Sequence, residues 1–171
     1  MSTVDDDEVR WTVSRLLELV HREDVHLLAV RERFLGDDCQ VDAARMGALL
    51  AEPVGEDRLE SFGAKFSRMQ DTVVDKLLPR VLHLAGERVG AAIDNLGRAE
   101  RVGLIASADD WMAMRHLRNR LVHEYIDRPE EMAPALQRAC HFTDAMHTDS
   151  QAIRKYAVET LGIPEQVTPR A

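Results

Sequence analysis

The sequence predicts an all-α fold, an up-and-down antiparallel bundle of about five or six helices. Apolar residues recur at three- and four-residue steps through most of the chain and nowhere alternate as in a strand. The composition is 45% hydrophobic and 30% charged with only 5% aromatic, and its abundance of Leu, Ala, Val, Arg and Glu favours helices. The turn residues fall between the periodic stretches, with no internal repeat and no low-complexity segment. A chain of 171 residues can bury a core without staples. One domain is therefore expected over 1–161, followed by a flexible tail at 162–171.

Each element has its own signal. Over 7–34, Val9, Val13, Leu16, Leu17, Val20, Leu27, Leu28 and Val30 form one stripe, which predicts a long amphipathic helix ended by Gly36, Asp37 and Asp38. Asp42 is the expected N-cap of a shorter helix reaching residue 50. Pro53 and Gly55 should break the chain after it. The stretch 56–79, "EDRLESFGAKFSRMQDTVVDKLLP", places Phe62, Phe66, Met69, Val73 and Leu77 on a core stripe, and Leu78 and Leu82 carry apolar character past Pro79. Arg68, Asp71 and Asp75 fall within about 60° of one another on the opposite face. Two acids at i and i+4 repel unless a cation answers them. The group is either a solvated face with Arg68 as local partner, or faces a basic residue on another helix. Pro79 should kink or divide this helix.

A further helix is expected over 88–101, with Val89, Ile93, Leu96 and Val102 inward. Ser107 and Asp110 resemble a capping box that opens the next helix, whose buried stripe is Trp111, Met114, Leu117 and Leu121. That helix delivers "RNRLVHEY" at 118–125. A last helix, 129–161, opens with Pro129, Glu130 and Glu131, which suit a first turn through fixed φ and the helix dipole.

Charge and motifs exclude several functions. A net charge of -8 disfavours broad binding to nucleic acid, which rests on Lys and Arg neutralising phosphates, so any RNA contact must be local. The acidic start and the lack of an apolar run near the roughly 20 residues of a membrane span predict a soluble, cytoplasmic protein. Cys39 and Cys140 lie far apart with no CxxC partner. Neither a zinc site nor a disulfide is expected from them, which fits a reducing cytoplasm. Dinucleotide, P-loop, zinc-protease and calcium-loop motifs are missing, so no cofactor is expected. His21 with His26, and His141 with His147, are wrongly spaced to share a metal on one helix face. His116 and His123 share a face but sit about 10 Å apart. No metal site is predicted.

The octet stands out because its groups complement one another. Arg offers a planar charged fork for phosphate, Asn offers amide donors, and His moves a proton near neutral pH. Those are the parts of a metal-free ribonuclease. A base takes the ribose 2′-OH proton, an acid protonates the leaving 5′-oxygen, and a cation stabilises the phosphorane between them.

"RNRLVHEY" resembles the R-x-x-x-x-H-x-Y signature of HEPN-domain toxins of the HepT type, where Asn often follows the Arg. In that family too the motif lies late in a helical bundle of similar size and precedes an acidic, proline-containing turn, like "DRPEE" here. The resemblance runs over about 59–161; the first fifty residues match only as helices. It implies a homodimer whose two motifs form one RNA-cutting cleft, paired with a nucleotidyltransferase antitoxin of the MntA-like kind that adenylylates the motif tyrosine. Arg118 would then bind the scissile phosphate, Asn119 would orient the reacting groups, His123 would be the acid or base, and Tyr125 would be the modified residue. The family also contains members described as non-catalytic substrate-binding partners of nucleotidyltransferases, which is the alternative reading here. A third is a helical dimer in which the octet is only a basic helix C-terminus that suits the dipole.

Helix geometry bears on the dimer independently. Positions 118 and 123 point about 140° apart on a straight helix, whereas 119 and 123 differ by about 40°. Either the helix ends near Val122, or Arg from one subunit works with His from the other across a two-fold axis. Arg115, Arg118 and Arg120 would repel their symmetry mates, and Asp71 and Asp75 are the expected answering charges.

Overall fold

The computed structural model describes the backbone of residues 3–123 and 128–165, and the side chains of 6–121 and 128–165. The described residues are helical with no strand. They form α1 (Thr3–Leu35), α2 (Ala43–Leu50), α3, α4 (Ala92–Arg101), α5 (Ala108–His123) and α6 (Pro129–Glu159). Helix α3 begins at Pro53–Asp71, passes through a π-helical stretch, Thr72–Leu77, and continues as Leu78–Leu84 without a break. This makes six helices, all-α as the composition and periodicity require.

The long stripes behave as their spacing predicts. Val13, Leu17, Val20, Leu27 and Val30 of α1 are buried, as are Phe62, Phe66, Met69, Val73 and Leu77 of α3 and Trp111, Met114, Leu117 and Leu121 of α5. Asp42 caps α2 by accepting the Arg45 N–H at 2.7 Å, the bond that leaves Ser, Thr, Asp and Asn favoured at this position.

Other elements differ, each for a local reason. Pro53 and Gly55 do not break the chain for long: Pro53 opens α3, where its missing N–H costs nothing. Gly55 is buried in the first turn because a β-carbon there would lie 1.6 Å from the Leu49 carbonyl oxygen. Pro79 does not divide α3. The helix widens just before it, and the Leu78 N–H bonds back to Val73, five residues away, a π register that accommodates a residue unable to donate. The helix expected from residue 88 starts at 92, because Asn95 ties down the preceding loop by accepting the Gly90 N–H at 2.8 Å and donating to the Gly90 carbonyl at 3.0 Å. Val89 and Ile93, expected inward, are consequently exposed, while Leu96 is buried. Helix α5 starts directly after Ser107, with the Ala108 N–H bonded to the Glu100 carboxylate at 2.6 Å.

The chain divides into two compact units. The first comprises residues 1–22, 71–108 and 148–171, the second 23–70 and 109–147. In the first unit, α4 packs against the π turn and the end of α3, with Leu96 and Ala99 fully buried. Residues 162–165, expected to belong to the tail, are packed here. Gly162 takes a left-handed φ of 66°, which closes the end of α6 so that the Ile163 N–H reaches the Ala157 carbonyl at 3.0 Å. Ile163 is buried, Ser14 donates to the Pro164 carbonyl, and Arg154 bonds both Glu18 and Glu165.

The second unit holds the aromatic part of the core. Phe62 and Phe66 stack with centroids 5.8 Å apart, and Phe34 meets Phe62 at 6.5 Å. The octet begins on the helix α5 of this unit.

Candidate functional site

Burial of Trp111, Met114, Leu117 and Leu121 fixes how α5 is rotated. Arg118 falls at the edge of the buried arc and is half-buried, as is Arg115, while Asn119 and Arg120 are exposed. The helix runs through His123, so positions 118 and 123 stay about 140° apart around one helix axis and 119 and 123 about 40° apart. The described part of α5 ends at His123, one residue past Val122, near which a helix end was one of the two expected arrangements. Helical placement extends to His123; its side chain, and Tyr125, lie outside the described residues. At the far side of that segment Arg128 pairs with Glu131 at 2.9 Å, and the carboxylate raises its pKa above the ordinary arginine range.

Asp71 and Asp75 belong to the other unit. Asp71 ends the α-helical part of α3 and is half-buried; Asp75 is exposed within the π stretch. None of Arg68, Asp71, Asp75, Arg115, Arg118 and Arg120 is without an interaction partner.

The most built polar assembly in the second unit was not read from the sequence. Cys39 and Cys140 are joined in a disulfide, with Cα atoms 5.6 Å apart, contrary to the expectation of two unlinked thiols. The bend after α1 turns the chain back on α6, an encounter that a separation of 101 residues conceals. The two cysteines therefore give no argument for a reducing compartment. Buried Arg31 donates to the Thr143 hydroxyl at 2.7 Å and to the Asp144 carboxylate, and Thr143 in turn donates to the Cys140 carbonyl at 2.6 Å. Arg45 donates to the Leu35 and Gln40 carbonyls and to Asp38. The Gln40 N–H, with Arg45 adding to it, holds the Asp38 carboxyl below the usual carboxylate range. Between the bend after α1 and α6 lies an open groove of about 330 Å³, lined by Val41 and Asp42 and, on α6, Ala133, Gln137, Arg138 and His141.

A second missed pair is Asp24 and His147, at 2.7 Å, which joins α1 to α6. Nearby residues Glu23 and His26 of α1 and Lys65 and Arg68 of α3 enclose a smaller polar pocket of about 60 Å³. Among the described residues no cluster of three or more metal-ligating side chains occurs, and no described helix is long and apolar enough to cross a membrane.

No protein-family model, no curated protein and no solved structure matches this chain.

Proposed function

We propose that the chain is a HEPN-type, metal-independent RNA endonuclease toxin that acts as a cytoplasmic homodimer and is neutralised by a nucleotidyltransferase antitoxin through adenylylation of Tyr125. The observation that carries this reading is the Arg118, Asn119, His123, Tyr125 spacing on and just beyond the last turns of α5. Arg118 sits half-buried at the edge of the buried arc, and Asn119 is open to solvent. A planar fork suits a phosphate better than a point charge. His123 is the acid or base that handles the 2′-OH or the 5′-oxygen, Arg118 binds the phosphate, and Asn119 orients them. Because a straight helix would hold positions 118 and 123 about 140° apart, we assign a site that uses both to two subunits. Asp71 and Asp75 are the charges we assign to answering Arg115 and Arg120 in that assembly.

The test is cleavage of total cellular RNA by the purified full-length chain in EDTA. Wild type should cut; His123→Ala should not, with its far-UV circular dichroism unchanged, and Arg118→Lys should lose most activity. Cleavage that persists in His123→Ala removes the histidine from the mechanism. No cleavage by wild type at any concentration favours a nucleotide-binding partner of a transferase instead. Co-expression with the transferase and ATP should add adenylate at Tyr125, and Tyr125→Phe should escape neutralisation.

A further inference from the structure

Residues 36–52, the bend after α1 together with α2, hold their own shape. Arg45 ties the Leu35 and Gln40 carbonyls and the Asp38 carboxylate into one clamp, the Gln40 N–H bonds Asp38 at 3.1 Å, and Asp42 caps α2. None of these bonds reaches α6. One polar tie leads to α6, Val41 N–H to Gln137 Oε1 at a long 3.4 Å, and two lead to α1, Arg31 Nη2 to the Asp37 carbonyl at 3.3 Å and Arg45 to the Leu35 carbonyl. The α2 helix itself buries only Met46. Val41 and Cys39 of the bend are buried too, and the covalent tie to α6 is the bond from Cys39 to Cys140. Cys39 also carries a φ of +52°, a left-handed conformation unfavourable for a residue with a β-carbon. Such a conformation is kept where the surroundings impose it, here at the point of attachment. The groove of about 330 Å³ opens between this bend, through Val41 and Asp42, and α6, through Gln137, Arg138 and His141.

We propose that the Cys39–Cys140 bond is a redox latch: its reduction by a dithiol releases residues 36–52 from α6 as a clamped body and widens the groove between them. One thiolate of the dithiol attacks a cystine sulfur, which breaks the S–S bond and gives a mixed disulfide and one cysteine thiolate. The second dithiol sulfur then displaces the other cysteine. Two electrons pass to the protein, both cysteines take up protons, and the dithiol leaves as its own disulfide. Arg45 makes the step reversible, because the released bend keeps Cys39 in a fixed setting for reclosure. This latch is independent of the ribonuclease reading.

The test uses the full chain, oxidised and after native reduction with dithiothreitol, with alkylation and mass spectrometry to count thiols and hydrogen–deuterium exchange to follow each segment. Two thiols should appear, amide exchange should rise roughly tenfold over 36–42 while α2 keeps its own protection, and protection across 62–82 should stay unchanged. Glutathione disulfide should restore the original pattern. Cys39→Ala should reproduce the reduced pattern, and if that variant does not fold, the chemically reduced wild type decides. Unaltered exchange over 36–42 in chains shown to carry two thiols overturns the latch. So does loss of protection through 62–82, which would make the bond a staple for the whole fold, or failure of dithiothreitol to open it under native conditions.

Discussion

The carboxylate of Asp24, almost fully buried, meets Nδ1 of His147 at 2.7 Å across 123 residues of sequence. A carboxylate held away from water keeps its place only if something satisfies it, and His147, half exposed, is its hydrogen-bond partner. His147→Ala should therefore destabilise the fold by about 1–3 kcal/mol, the cost of leaving a buried acceptor without its bond. Asp24→Asn, which keeps an acceptor of the same shape, should cost less. Urea unfolding of both variants measures this, and equal stability of His147→Ala and wild type would show that the pair contributes nothing.

Two glycines should respond in opposite directions. At Gly55 an added β-carbon meets the Leu49 carbonyl oxygen at 1.6 Å, and backbone cannot swing aside as a side-chain tip can. Gly55→Ala should lose about 1–3 kcal/mol or more by forcing α2 from α3. At Gly97, exposed within α4, nothing lies within 4 Å of the added atom. Gly97→Ala should gain about 0.5–1 kcal/mol from helix propensity and a less disordered unfolded chain. Thermal melts of the two variants side by side check the signs.

What was legible in the sequence was what repeats along a helix. Phe62, Phe66, Met69, Val73 and Leu77 announce their buried face through spacing alone, and Asp42 announces its cap through a local bond to Arg45. The reading failed where a side chain overrode the period or a contact was distant. Asn95, by binding both backbone groups of Gly90, delays α4 and leaves Val89 and Ile93 in water. Cys39 with Cys140, and Asp24 with His147, are partners only once α1 and α6 lie together, which no local pattern encodes. In and just before the octet, the helix and the burial of Leu117 and Leu121 were legible, whereas the half-buried setting of Arg118 beside exposed Asn119 was not read from it. What the motif does chemically is read from residue types and resemblance, which a helical period does not contain.

Acid should loosen the bend after α1 before it unfolds the rest. Asp38 has a folded pKa depressed below 3.8, first by the Gln40 N–H and then by Arg45. A depressed carboxyl contributes stability above its unfolded pKa, and that contribution disappears as pH falls through the folded value. The window is therefore the acid limb below 3.8, and the group's exposure keeps the effect small. Asp38→Asn should flatten the pH dependence of the Gln40 and Arg45 amide signals between neutral pH and that limb. Identical titrations in wild type and Asp38→Asn would place the response elsewhere.

The placement of Arg118 and His123 on one continuous helix makes a test of the dimeric cleft possible by mixing two inactive chains. If each site takes Arg118 from one subunit and His123 from the other, a mixed dimer of Arg118→Ala and His123→Ala holds one site missing both groups and one site with both intact. Random reassociation puts half the dimers in the mixed class, so activity should return to about a quarter of wild type although each variant alone is dead. If both groups act within one subunit, every site in the mixture lacks one of them and no activity returns. The two variants should be purified separately, mixed under conditions that exchange subunits, and assayed on the RNA that wild type cuts. A mixture that forms mixed dimers, shown by native mass spectrometry, yet stays inactive would rule out a site shared in this way and turn attention to the conformation of the α5 terminus within a single chain.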